Sequence, residues 1–106
     1  MQLEHYVDEY GDDLFEASLL DLPQRARLRA RTAIARMDDG NFGDHKSLGD
    51  GLLERRVHAE GGIRIYYAKR GEEVVLLLIA GLKASQDKDI DTARMRLENY
   101  DSRIDP

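Results

Sequence analysis

The sequence predicts an α+β domain, a small antiparallel sheet carrying an N-terminal helical hairpin and a C-terminal helix. Three observations predict it: an apolar stripe at helical spacing before residue 40, three β-patterned runs after residue 51, and a second helical stripe near the end. With 106 residues and no internal repeat, low-complexity stretch or linker, residues 1–106 read as one domain with one core.

Gln2 to Val7 suits a short edge strand. Asp12 is placed to cap a helix that carries Leu14, Phe15, Leu19 and Leu20 and ends before Pro23. Pro23 suits the first turn of a second helix, where its missing N–H costs nothing. In that helix Ala26, Ala30, Ala33, Ile34 and Met37 form one apolar stripe. Arg25, Arg27, Arg29, Arg31 and Arg36 read as its solvated face, and Gly40 as a left-handed C-cap. After a loop from Asn41 to Asp50 the period changes. Leu52 to His58, Ile63 to Lys69 and Glu73 to Ala80 form an antiparallel meander, with Gly61-Gly62 and Arg70-Gly71 at its turns. Val74 to Ala80 is apolar without alternation, as in a central strand covered on both faces. A last helix begins near Ser85 and docks through Ile90, Ala93, Leu97 and Tyr100.

Composition excludes several classes. The apolar content of 42% beside 35% charge belongs to a folded globular protein rather than a disordered one. Without cysteine there is neither a disulfide framework nor a thiolate metal site. The N-terminus lacks a basic apolar leader, and no apolar run is long enough to span a membrane, so the cytoplasm is expected. His5, His45 and His58 are isolated, no serine lies in an elbow-like glycine context, and the glycine-bearing loops lack the phosphate-loop lysine; no metal and no cofactor is expected. The net charge of −5 is unevenly spread. Residues 1 to 24 hold seven acids and no Lys or Arg, whereas residues 25 to 106 hold 16 bases and 14 acids. A basic face for phosphate is therefore compatible with an acidic total.

On the strand Ile63 to Tyr67, Arg64 and Tyr66 share one face, taken here as the face away from the core. An arginine beside an aromatic there fits phosphate and base binding; an ordinary exposed polar face fits equally. On the preceding run Glu54, Arg56 and His58 share a face, and a meander can bring Arg56 or His58 near Arg64. Lys83 follows the central strand, and Lys46 lies in the loop before the meander.

Taken in order, Asp39-Gly40-Asn41-Phe42-Gly43-Asp44-His45-Lys46-Ser47-Leu48-Gly49-Asp50-Gly51, then Arg64-Ile65-Tyr66-Tyr67, then Val74 to Leu78 with Gly81, Lys83, Gln86, Asp89 and Ile90, resemble the HigB-like killer proteins of the RelE/ParE superfamily. The sequence departs from that pattern in three places. Glu54-Arg55-Arg56 puts Arg55 where an apolar core residue is expected, Glu60-Gly61-Gly62-Ile63 lacks the usual proline and tyrosine, and Ala80-Gly81-Leu82 replaces a glycine pair. The resemblance implies a toxin of a type II toxin–antitoxin module, a metal-independent endoribonuclease that cuts mRNA on the ribosome. It assigns Arg64, Lys83 and Tyr66 to catalysis, with Lys46 and Arg56 as RNA phosphate contacts. It also implies a helix-turn-helix antitoxin that neutralises the chain, and operator DNA reached only through that antitoxin. The alternatives are a ParE-type gyrase inhibitor that shares the fold without nuclease chemistry, and a degenerate toxin acting only as a binding partner.

Overall fold

The computed structural model describes residues 2–104. In chain order it contains β1 (Gln2–His5), α1 (Leu14–Leu20), α2 (Gln24–Asp38), β2 (His45–Gly49), β3 (Leu52–Val57), β4 (Ile63–Arg70), β5 (Val74–Leu82), a 3-10 turn (Lys83–Ser85) and α3 (Gln86–Ile104). The five strands form one sheet in the order β1-β5-β4-β3-β2. The predicted α+β class is the observed one, with the helical hairpin on one face of the sheet and α3 on the other.

Each helix docks through the stripe its sequence supplies. Ala26, Ala30, Ala33 and Met37 of α2 are buried with Phe15 and Leu19 of α1 against Ile63, Ile65, Tyr67, Val75 and Leu77 of the sheet. Small alanines let α2 approach closely, and Met37 fills the space at its end. On the opposite face Ala93 and Leu97 of α3 pack with Leu52, Tyr66, Ala68, Leu76 and Leu78, with Ile90 and Tyr100 at the margin. Val75 to Gly81 are all buried, so β5 is covered on both sides as its unbroken apolar run predicts. The register between β4 and β5 shifts between Tyr66 and Tyr67, where Tyr66 faces Ile79 and Tyr67 faces Leu77. That bulge lets Leu78 and Ile79, adjacent in sequence, both serve the α3 side.

Several local expectations are corrected. The cap of α1 is Asp13, not Asp12: Asp13 Oδ1 accepts the Glu16 amide at 2.8 Å. Pro23 stands one step before α2, as its N-cap, rather than within the first turn. The expected loop from Asn41 to Asp50 contains β2, an exposed edge strand paired antiparallel to β3. The first strand pairs parallel to β5, so the sheet is antiparallel except at this edge. Gly40 is the left-handed residue closing α2, with φ at 87° and its amide on the Met37 carbonyl.

Candidate phosphate-binding site

The meander register assembles the site. Lys46 on β2 pairs with Glu54 on β3, which pairs with Tyr66 on β4. In the next row, Arg56 lies directly across from Arg64, which lies across from Gly81 on β5. Directly opposed residues share a face, so Lys46, Glu54, Arg56, Arg64 and Tyr66 all point toward the α3 side. Lys83 joins them from the end of β5. Its amide bonds the Gly61 and Gly62 carbonyls, which fastens the start of the 3-10 turn to the β3–β4 connection.

Two guanidiniums opposed across a strand pair repel, and a buried carboxylate holds them together. Glu54 is fully buried, with Oε2 3.4 Å from Arg56 Nε and Oε1 3.5 Å from Arg64 Nε. Gln86, at the first position of α3, donates to Glu54 Oε1 at 3.2 Å. Glu54 therefore meets both arginines side-on. The two Nε–carboxylate contacts are ion pairs too poorly directed for hydrogen bonds, and Glu54 Oε2, Arg56 Nε, Arg64 Nε and the Tyr66 hydroxyl are all buried without a hydrogen-bond partner. Such a concentration of unsatisfied polar atoms is unusual in a folded interior. Arg64 Nη1 spends one weak bond, 3.3 Å, on the Ile63 carbonyl, and its side chain is only 12% exposed. Arg56 is more open, at 30%.

The face carrying Arg64 and Tyr66 does not turn away from the core, contrary to expectation, because α3 covers it. Tyr66 is fully buried, so its ring offers no face for a base to stack on in this conformation. Burial, reinforced by the negative charges of Glu54 and Asp89, pushes its phenol well above the ordinary value of 10.0. Lys46, expected in a loop, is an exposed residue of β2, and Lys83 is likewise exposed. Arg56, Arg64, Lys46 and Lys83 thus form one basic surface around a buried glutamate.

Sequence reasoning missed Glu54 and Gln86 as parts of this site. The alternation of the run Leu52–Val57 puts Glu54 with Arg56, but only the cover provided by α3 makes it a buried residue. Arg55, placed where an apolar residue is expected, is buried on the opposite face and donates to the Asn41 carbonyl at 3.1 Å. Its guanidinium lies against Gly43, where a Cβ would stand 2.5 Å from Nη1. Burial, with Arg36 nearby, lowers its pKa below the ordinary arginine value. It belongs to the α2 side and not to the basic cluster.

Among the described residues, no group of three or more His, Asp or Glu side chains is gathered to hold a metal ion, and no helix is long and apolar enough to cross a membrane. The family described as "Phage derived protein Gp49-like (DUF891)" matches residues 17–98, which include every residue of the basic cluster. This chain belongs to the Gp49-like family. An uncharacterized protein of Haemophilus influenzae is similar to it, 40% identical over 83 residues that cover 78% of this chain and 82% of that protein. The Gp49-like match begins within α1 and ends within α3, so it takes in both helical layers and four of the five strands; β1 lies outside it.

Proposed function

We propose that this Gp49-like protein is the toxin of a toxin–antitoxin module, a single RelE/ParE-type domain that cuts mRNA on the ribosome in the cytoplasm. The observation that carries this reading is the pair Arg56 and Arg64, opposed across β3 and β4 and held on one buried carboxylate. Two guanidiniums locked in place are suited to grip the non-bridging oxygens of one phosphate, because the fork of an arginine matches that geometry.

The RNA supplies its own nucleophile. The 2′-oxygen attacks the adjacent phosphorus, the bond to the 5′-oxygen breaks, the 2′-proton passes to a base, and the departing 5′-oxygen takes up a proton. The products are a 2′,3′-cyclic phosphate and a 5′-hydroxyl. Arg64 stabilises the phosphorane charge, Arg56 supports it, and Lys83 and Lys46 add positive charge at the rim. Tyr66 acts from behind, packed under α3 across from Glu54, and fixes the strand face on which the arginines stand. The ribosome supplies the ordered RNA that an acidic protein of net charge −5 does not collect alone. The partner that silences it is a helix-turn-helix antitoxin, through which the complex reaches operator DNA.

Inducible expression in a bacterial host tests this directly. Rapid growth arrest is expected, with new cuts inside translated messages by primer extension, both abolished by Arg64→Ala. Arrest without cuts would assign the protein to gyrase inhibition, and no arrest would leave it a binding partner only.

A further inference from the structure

Asp44 and His58 lie at the same end of the sheet as the arginine pair, outside the contacts described so far. The Asp44 carbonyl accepts the Arg56 amide at 2.8 Å, which ties the entry to β2 against β3 beside that arginine. Its carboxylate Oδ2 stands 2.6 Å from His58 Nε2. His58 follows β3 directly, two residues beyond Arg56. The hydrogen bond to His58 holds the Asp44 carboxyl below its ordinary value of 3.8, and the positive charges of Arg56 and Arg64 lower it further.

This pair has the geometry of a histidine oriented by a carboxylate. Histidine is the side chain suited to exchange a proton near neutral pH. Here a carboxylate fixes its tautomer: with Nε2–H donated to Asp44, Nδ1 carries the lone pair. His58 is 74% exposed, so Nδ1 is open to a substrate. Glu54, the other acid–base candidate, is closed off behind both guanidiniums and Gln86.

Resting on the ribonuclease reading above, we propose that His58 is the general base of the cleavage, accepting the 2′-hydroxyl proton on Nδ1, and that Asp44 is the positioning residue that holds its ring. In the step, the 2′-O–H bond breaks as the 2′-O–P bond forms. The proton moves to His58, and the electron pair of the P–O5′ bond leaves with the 5′-oxygen, which is protonated from solvent. The resulting imidazolium is stabilised by the Asp44 carboxylate and returns its proton to water.

The test is single-turnover cleavage of ribosome-bound mRNA by purified wild type, His58→Ala, Asp44→Asn and Arg64→Ala proteins, with ribosome binding measured in parallel. His58→Ala is expected to cut roughly 100-fold or more slowly with unchanged ribosome affinity, and added imidazole is expected to restore part of the rate. Asp44→Asn should lower the single-turnover rate by a smaller factor and leave ribosome affinity unchanged. Because both side chains are exposed, the variants are expected to keep the wild-type circular dichroism spectrum. Cleavage by His58→Ala at the wild-type rate would overturn the assignment, and so would a loss that imidazole does not relieve. If the wild type itself does not cut, the ribonuclease reading fails and this assignment falls with it, an outcome distinct from a wild type that cuts and a His58 variant that cuts equally well.

Discussion

Glu54 is the residue on which the basic cluster depends. A fully buried carboxylate facing two guanidiniums is costly to desolvate, and removing it strands two positive charges beside each other across β3 and β4. Glu54→Ala is therefore expected to destabilise the fold by about 3 kcal/mol, visible as a melting temperature lower by roughly 15 °C. Glu54→Gln keeps the volume and the contact with Gln86, so it should melt above the alanine variant while still losing cleavage, because the guanidiniums are no longer drawn to one point. Melting and cleavage of the two variants, measured together, separate the structural part of this role from the functional one. Arg64→Ala removes the less exposed of the two guanidiniums and is expected to lower the cleavage rate by about 100- to 1,000-fold.

At the scale of elements, α3 sets the site because its N-terminus lies over the arginine row. Gly81 faces Arg64 across the sheet, and a Cβ there would overlap Asp89 Oδ2, which Ser85 Oγ holds at 2.6 Å. Gly81→Ala must push the start of α3 outward or displace Asp89, an overpacking cost of about 1–3 kcal/mol. It should weaken thermal stability and cleavage together. The far end of α3 is fastened by Arg70, whose Nε and Nη2 meet the Asp101 carboxylate at 2.8 and 2.7 Å. The hydrogen bonds from Arg70 hold the Asp101 carboxyl below its ordinary value of 3.8. A carboxyl lowered by folding contributes stability that is present above the ordinary value and lost as pH falls through the folded one. Asp101→Asn should therefore bring the melting temperatures of variant and wild type together in strong acid, with the wild type ahead at neutral pH. A difference that persisted unchanged into strong acid would show that this ion pair contributes nothing.

Legibility followed locality. The stripe of Ala26, Ala30, Ala33 and Met37 and the unbroken run of β5 were readable because their signals lie within one element. The strand β2 was not, because His45–Gly49 is an exposed edge whose one partly buried side chain is Leu48, and no alternation marks it. Nor was the parallel pairing of β1 with β5, which joins segments about 70 residues apart. The candidate residues Arg56 and Arg64 could be named from their strands, yet their opposition depends on a register that turn residues alone left open. The burial of Tyr66 and Glu54 came from α3, an element beyond both strands. Asp44 and His58, fourteen residues apart, meet because β2 pairs with β3 beside them, a pairing the sequence did not mark.

Over the whole molecule, charge is sorted by position in the sheet. The acidic first segment runs through β1 and α1 at the β5 side, whereas the basic cluster spans β2, β3 and β4 toward the other edge, joined by Lys83 just after β5. A polyanion can approach that edge without meeting the acidic one, and such an encounter weakens as salt rises. Ribosome binding should accordingly fall with ionic strength, and Lys46→Ala with Lys83→Ala should flatten that dependence; equal salt slopes for variant and wild type would place the RNA elsewhere. In the proposed function, the arginine pair on Glu54 drives a transesterification in which RNA is its own nucleophile. The most direct measurement is the chemistry of the ends produced from ribosome-bound mRNA by the purified protein. Cuts bearing 5′-hydroxyl and 2′,3′-cyclic phosphate ends, lost in Arg64→Ala, are the predicted result. Cuts bearing 5′-phosphate ends, or cutting that survives in Arg64→Ala, would contradict it.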